Sequence, residues 1–319
     1  GKSYTADTLE QLRAQNPGAE LWLLMGTDMF LTLQNWREPE RITALAGICA
    51  FARTQADCGE LLTIQAEHLR KTFGAKVCVL QLPQVVDVSS TRLRELLARG
   101  EGGDYLIPAV YGYILRNQLY GTHADLKRLA IPELRACSYS MVMQKRVRHI
   151  RGTEEEAVRL AQRWGADPDQ ARRAGILHDC TKYLELEEQL ALCERYGVEL
   201  DELEHRAVKL LHSKTGACIA RHVFGEPDEV FDAIFWHTTA KENMTTLEKI
   251  LYVADYMEPN RTFEGVERLR ELAYSDLDKA LLLGVETTIQ EMKDRSLPVH
   301  QSTLRAQAWL REHGVTTEG

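Results

Sequence analysis

The sequence predicts two domains: an α/β domain built on a parallel sheet over residues 1–123, then an all-α bundle over residues 138–319. Three observations predict this. In the first part short apolar runs alternate with helical patterns, as strands of a parallel sheet do. Beyond residue 138 helix-start signals are dense, apolar residues recur at three- and four-residue spacing, and no strand-like alternation competes. A chain of 319 residues also has room for two domains of ordinary size.

The bulk numbers narrow the function classes. With 44% hydrophobic and 27% charged residues, the chain reads as a globular protein able to bury substantial cores. No apolar run reaches the length of a membrane span, and no secretory segment is visible. A formal charge of -8 argues against nucleic acid or an anionic membrane as partner, and leaves small phosphorylated ligands open. Seven scattered cysteines (Cys49, Cys58, Cys78, Cys137, Cys180, Cys193, Cys218) form no C-x-x-C pair, which points to a reducing cytoplasm. The chain opens Gly-Lys-Ser without an initiating Met, so a segment is expected upstream.

The first helical pattern follows Ser3–Leu9 and stops near Asn16-Pro17-Gly18. Glu20–Gly26 reads as a buried strand ending in a Gly26-Thr27-Asp28 turn, and a helix then runs to Trp36 and Pro39. Ala46–Ala52 and Lys76–Leu82 are the second and third buried strands. A parallel sheet binds ligands at the carboxyl ends of its strands, where Gly26-Thr27-Asp28 and Val88–Arg94 fall. Hydroxyls and free N–H groups at the helix start after Val88 suit a phosphate, with Arg94 adding charge; ordinary N-capping by Ser90 or Thr91 explains the same residues.

Six stretches together resemble bacterial nicotinate mononucleotide adenylyltransferase: S-Y-T-A-D-T-L (Ser3–Leu9), G-T-D (Gly26–Asp28), Trp36 with its preceding helix, F-A-R (Phe51–Arg53), V-S-S-T-R-L-R (Val88–Arg94) and I-P-A-V-Y-G-Y-I (Ile107–Ile114). The resemblance implies a partial Rossmann-like nucleotidyltransferase fold. It also implies that Thr5 and Trp36 hold the nicotinate ring, Asp28 the adenosine side, and Ser90, Thr91 and Arg94 the phosphates. ATP would be the co-substrate. The family's H-x-G-H motif belongs upstream of Ser3, so this chain is expected to carry the later part of that domain, with adenylyl transfer assigned to a longer parent.

The join is placed at residues 124–137, short and ordered, because nothing there is low in complexity. Helix starts follow. Thr153-Glu-Glu-Glu156 reads as a capping box, Asp167-Pro168 as an N-cap with proline at N1, and Thr245-Thr-Leu-Glu248 as another box.

The centre of this half is the doublet His178-Asp179 in Ala174–Tyr183. An imidazole and a carboxylate on neighbouring residues can reach one metal ion, and the carboxylate can bridge to a second. His149, His212, His237 and Asp255, each inside or at the end of a helix, raise the set to four imidazoles and two carboxylates, enough for two ions with open positions for water. Each has a plainer alternative. His149 can be part of a basic helix face, and His212 and His237 hydrogen-bonded core histidines. Asp255, in an apolar helical run, needs a cation or several donors to be tolerated. The remaining histidines are expected at the surface.

The order His149, His178-Asp179, His212, His237, Asp255 resembles the HD-domain metal phosphohydrolases, and within them the bacterial symmetrical diadenosine tetraphosphate hydrolases. The resemblance is carried by R-V-R-H (Arg146–His149), I-L-H-D-C-T-K (Ile176–Lys182), L-H-S-K-T-G-A (Leu211–Ala217), W-H-T-T (Trp236–Thr239) and the long run Met244–Val266. It implies a di-iron centre, with manganese or magnesium as alternatives, that cleaves diadenosine tetraphosphate into two ADP. His149, His178, Asp179 and Asp255 would hold one ion, His212 and His237 the other, with Asp179 bridging. Asp179 and Lys182 would be catalytic, and Arg146, Thr238 and Arg261 would bind substrate; Lys182 is equally placed to cap a helix C-terminus. Ala240-Lys241 stands where the family has Gly-Arg, and a lysine cannot clamp a phosphate bidentately. Other readings stay open: another nucleotide or phosphomonoester as substrate, a nucleotide-sensing module, or NAD synthesis as the main role of the parent. A homodimer is also open.

Overall fold

The computed structural model describes residues 3–52, 59–80 and 88–317. They form two compact units, 1–92 and 93–319. Arg53 of the F-A-R stretch, Cys58, and Gln81 and Leu82 of the expected third strand lie outside the described residues.

The first unit alternates as expected: α1 (Thr5–Gln15), β1 (Trp22–Gly26), α2 (Thr27–Leu31), α3 (Pro39–Leu45), β2 (Gly47–Phe51), α4 (Gly59–Phe73) and β3 (Val77–Leu80). The strands are parallel in the order β1-β2-β3, with Trp22 opposite Gly47 and Ile48 opposite Val77. Four of the five residues of β2 are buried, as a central strand covered on both faces requires. Phe30, Leu33, Ile42, Ile48, Leu62 and Leu69 fill the core. The helix expected to run from the Gly-Thr-Asp turn to Pro39 is instead broken. Pro39 cannot continue a helix from its N-terminal side but suits the first turn of a new one, and α3 begins there.

The second unit is helical throughout: α5 (Ser90–Ala98, which straddles the division), α6 (Pro108–Arg116), α7 (Ile131–Tyr139), α8 (Gln144–Trp164), α9 (Pro168–Leu177), α10 (Leu186–Tyr196), α11 (Val208–His222), α12 (Asp228–Trp236), α13 (Thr246–Met257), α14 (Val266–Ser275), α15 (Leu277–Asp294) and α16 (Gln301–Glu312). No helix among the described residues is long and apolar enough to cross a membrane. The capping signals at Asp167 and Thr245 are used as read: Asp167 accepts from the N–H groups of Asp169 and Gln170, and Thr245 from that of Glu248. Thr153 is not a start. It lies in the middle of α8, fully buried, because no proline interrupts residues 144–164 and a cap signature alone cannot end a helix. The expected join at 124–137 is itself mostly helical, with α7 starting at Ile131.

Packing sets the positions of the site helices. Gly175 lets α9 approach α8 closely: a Cβ there would lie 2.7 Å from the Glu154 Cα. Ser138 donates to the Ile176 carbonyl at 2.6 Å, tying α7 to the end of α9. Thr181 donates to the His212 carbonyl at 2.9 Å and meets the Thr215 hydroxyl at 2.8 Å, tying the turn after α9 to α11. A second polar cluster joins α11 to the start of α16. Buried Glu204 is 2.6 Å from Lys214 Nζ and 3.2 Å from His300 Nε2, while His300 caps α16 by accepting from the Ser302 N–H. His300 therefore departs from the expectation of a surface histidine, with a side chain only 9% exposed. Lys214 is the cation that meets Glu204 in this cluster.

Two outcomes follow. Gly175→Ala should cost at least about 3 kcal/mol, the upper range for overpacking a core, measured by urea unfolding. Burial alone would raise the Glu204 carboxyl, but His300 and Lys214 bring it down to about 2. A depressed carboxyl favours the folded state above its unfolded value near 4.5 and loses that contribution as pH falls towards 2. The stability gap between the wild type and Glu204→Gln, about 3 kcal/mol at neutral pH, should close progressively below pH 4.5 in a series of unfolding curves.

Candidate metal centre

Four histidine rings form a chain inside the second unit. His149 lies within α8, His178 directly after α9, His212 within α11 and His237 directly after α12. Successive ring centroids are 5.3 Å (His149–His178), 5.2 Å (His178–His237) and 5.1 Å (His237–His212) apart. His178 is fully buried, and the other three are 2–6% exposed. The plainer alternatives for His149, His212 and His237 treat each residue alone; the structure gathers all of them around one carboxylate.

That carboxylate is Asp179, with no solvent exposure. Its Oδ2 is 3.5 Å from His178 Nε2 and 3.7 Å from His149 Nε2, and its Oδ1 is 3.3 Å from His212 Nε2. Two clusters with the spacing of metal ligands result, His149-His178-Asp179 and Asp179-His212-His237, sharing Asp179. Asp255 on α13 joins the first, its Oδ1 2.9 Å from His149 Nε2 and 3.9 Å from His178 Nε2.

The tautomers follow from the second ring nitrogen. Nδ1 of His178 is 2.8 Å from the Gly175 carbonyl, that of His212 2.7 Å from the Lys209 carbonyl, and that of His237 2.6 Å from the Ile234 carbonyl. A carbonyl only accepts, so Nδ1 carries the proton in each ring and the Nε2 lone pair faces the cluster. Burial pulls His178 down to about 4 and lowers His212 and His237 too, which keeps these imidazoles neutral. His149 differs. Burial lowers it, yet its contacts with Asp255 and Glu258 outweigh that and raise it.

The donor set fits a divalent cation. Nε2 of His237 and Oδ1 of Asp179 are buried without a hydrogen-bond partner, and a neutral imidazole beside an ionised carboxylate is what a borderline metal takes as ligands. Burial alone would raise Asp179, but the imidazoles and Lys182 hold its carboxyl well below the usual range. Asp255 is likewise held down against its burial, by the Arg261 guanidinium and His149.

Three cations rim the cluster. Arg146 pairs with Asp179 Oδ2, Lys182 Nζ is 3.5 Å from Asp179 Oδ1 and 2.9 Å from His212 Nε2, and Arg261 Nη2 is 2.8 Å from Asp255 Oδ1. Lys182 thus points into the cluster. The Thr238 hydroxyl is buried without a partner. Lys241, at the departure from the Gly-Arg pattern, is 2.7 Å from the buried Glu248. Glu258, which no motif reading picked out, is 1% exposed and 3.1 Å from His149 Nδ1. Its only sequence signal is its place in the run Met244–Val266, three residues after Asp255.

In the first unit, Asp28 and Trp36 line a cavity of about 430 Å³ at the carboxyl ends of β1 and β2, together with Gly26 and Phe51. Thr5 opens α1 and is not among its lining residues. Ser90 and Thr91 are exposed; the cap role expected of them falls to Ser89, whose hydroxyl accepts from the Arg92 N–H at 3.1 Å. The Arg94 guanidinium lies over the Tyr120 ring, in the second unit.

The HD domain family matches residues 146–260, a span that contains every member of the cluster. The chain is 37% identical over 179 residues to the symmetrical bis(5'-nucleosyl)-tetraphosphatase of Bacillus subtilis, covering 56% of this chain and 96% of that protein. It is 28% identical to a probable nicotinate-nucleotide adenylyltransferase/Ap4A hydrolase of Mycoplasma genitalium, covering 92% of this chain and 77% of the other. A crystal structure of a predicted HD superfamily hydrolase involved in NAD metabolism, from Clostridium acetobutylicum, superposes with a TM-score of 0.57 at 38% identity, over 58% of this chain and 98% of that one. A chain with this cluster, this match and this identity belongs to the HD-domain family of symmetrical bis(5'-nucleosyl)-tetraphosphatases, joined to a region similar to nicotinate-nucleotide adenylyltransferase.

Proposed function

We propose that the second unit hydrolyses diadenosine tetraphosphate at its central phosphoanhydride, consuming one water and releasing two ADP, at a centre of two divalent cations. Iron is the resident metal in this reading, with manganese or magnesium as alternatives. The supporting observation is Asp179, one fully buried carboxylate shared by two histidine clusters. The substrate comes from the likeness to the Bacillus tetraphosphatase.

His149, His178, Asp179 and Asp255 would hold one cation and His212 and His237 the other, with Asp179 between them. Such a pair supplies a clamp on phosphoryl oxygens and an acidified water. The chain's own groups do the rest. The Nδ1-to-carbonyl bonds fix three of the rings, so their lone pairs need no reorientation. The Lys182 side chain is 31% exposed and that of Arg261 37%, whereas Asp179 is fully buried, so a polyphosphate approaches from the cationic rim. Arg146 and Lys182 offer a planar fork and a point charge to its oxygens. The unpartnered Thr238 hydroxyl is a further donor, and Arg261, now on Asp255, is suited to a distal phosphate.

Metal content, measured together with product identity on one sample, tests this. Wild type should carry two ions and release ADP as sole product from diadenosine tetraphosphate; equal ATP and AMP would end the symmetrical reading. Asp179→Ala, which removes the shared ligand, should lose both ions and turnover. His237→Ala should keep one ion.

For the first unit the supported reading is nicotinate mononucleotide binding, carried by the cavity that brings Asp28 and Trp36 together at the strand ends. Calorimetric titration with nicotinate mononucleotide should show binding that Trp36→Ala abolishes while diadenosine tetraphosphate hydrolysis is unchanged.

A further inference from the structure

One histidine of the four is held differently. His178, His212 and His237 each satisfy Nδ1 on a backbone carbonyl three residues earlier, whereas His149 satisfies it on the Glu258 carboxylate at 3.1 Å. Glu258 directly follows α13, three residues after Asp255.

The surroundings are built to hold that carboxylate in place. Its second oxygen accepts from the backbone N–H of Asn260 at 2.8 Å and from the Asn260 side-chain amide at 2.7 Å. The same amide reaches the Arg148 carbonyl at 3.3 Å, linking this turn back to α8. Arg270 donates to the carbonyls of Met257, Glu258 and Arg261 at 3.0–3.1 Å and so fixes the chain on both sides. Gly152 leaves the room: a Cβ there would lie 2.3 Å from Glu258 Oε2. Three separate stretches, α8 at 148 and 152, the turn 258–261 and α14 at 270, thus converge on one buried acid whose other oxygen faces His149.

A carboxylate and a carbonyl are not equivalent partners for a ligating imidazole. An anionic acceptor on Nδ1–H raises the electron density that Nε2 offers to a cation, and losing such an outer partner typically costs 10–100-fold in metal affinity. The two sides of the centre are therefore unequal. The His149 side has Asp179, Asp255 and, behind its imidazole, Glu258. The His212–His237 side has Asp179 and two rings backed by neutral carbonyls. We propose that Glu258 is the positioning residue of this centre: it holds His149 with Nε2 free towards Asp179 and Asp255, and makes the His149 side the tighter of two unequal metal sites. The inference rests on the two-cation reading given above.

Titrating the metal-stripped full chain with Co²⁺, and following its visible absorption, separates the possibilities without reference to turnover. Wild type should show two binding steps of different affinity, and His149→Ala should lack the tighter one. Glu258→Gln keeps the shape but removes the charge, and should weaken the tighter step roughly 10–100-fold while leaving the weaker one unchanged. Gly152→Ala keeps the charge but displaces the carboxylate, and should produce the same selective loss. Wild-type affinities for both steps in Glu258→Gln would overturn the assignment. So would equal weakening of both steps with a lowered thermal midpoint of the metal-free protein, the mark of a merely structural role. If wild type binds no Co²⁺, the two-cation reading itself fails and takes this assignment with it; normal two-step binding in wild type with an indifferent Glu258→Gln sinks the assignment alone.

Discussion

An ionised carboxylate without access to water must be met by positive charge or donors, and Asp179 is such a carboxylate. Much of the surrounding arrangement answers that requirement. Arg146 and Lys182 reach inward to it from a partly exposed rim, and three imidazoles stand within 3.7 Å of its oxygens. One oxygen still lacks a hydrogen bond, as does His237 Nε2. A core that needed only packing would hold an apolar residue here. A buried charge with spare lone pairs beside it is the signature of a place shaped for a cation.

The histidines show how little the side chains are left to choose. In three of them the helix that carries the ring also supplies the carbonyl that fixes its proton. Correct tautomer and orientation thus come from the backbone fold, and no separate second residue has to be maintained for each. Only His149 borrows its partner from elsewhere in the chain. That exception requires the pocket formed by Gly152, Asn260 and Arg270 around Glu258.

Much of this was legible in the residues. The His178-Asp179 doublet, the four imidazoles and the acid in the apolar stretch before Tyr256 announced the cluster, because a charge in an apolar helical run is tolerated only beside a cation or several donors. The parallel strands declared themselves as continuous apolar runs. What stayed hidden depends on three-dimensional neighbours. Glu258 looks like a helix-end acid until Gly152, over a hundred positions earlier, is placed against it. Thr153 carries a full start signal inside a helix that tertiary packing carries straight through it. Ser89 took the capping role from Ser90 and Thr91 because a shift of one residue at a helix boundary is beyond what pattern can resolve. His300 is drawn into an ion network by Asp201 and Glu204, which lie about a hundred residues away in sequence.

His178, His237 and Glu258 share one placement: each is the residue immediately after a helix, following α9, α12 and α13. A residue added to or removed from a helix turns everything beyond it by about 100° around the axis. The lengths of these three rods are therefore fixed by chemistry as firmly as the identity of the groups at their tips. An insertion or deletion in the connecting segments leaves this arrangement intact, whereas one within any of these three helices turns its terminal group away from the centre.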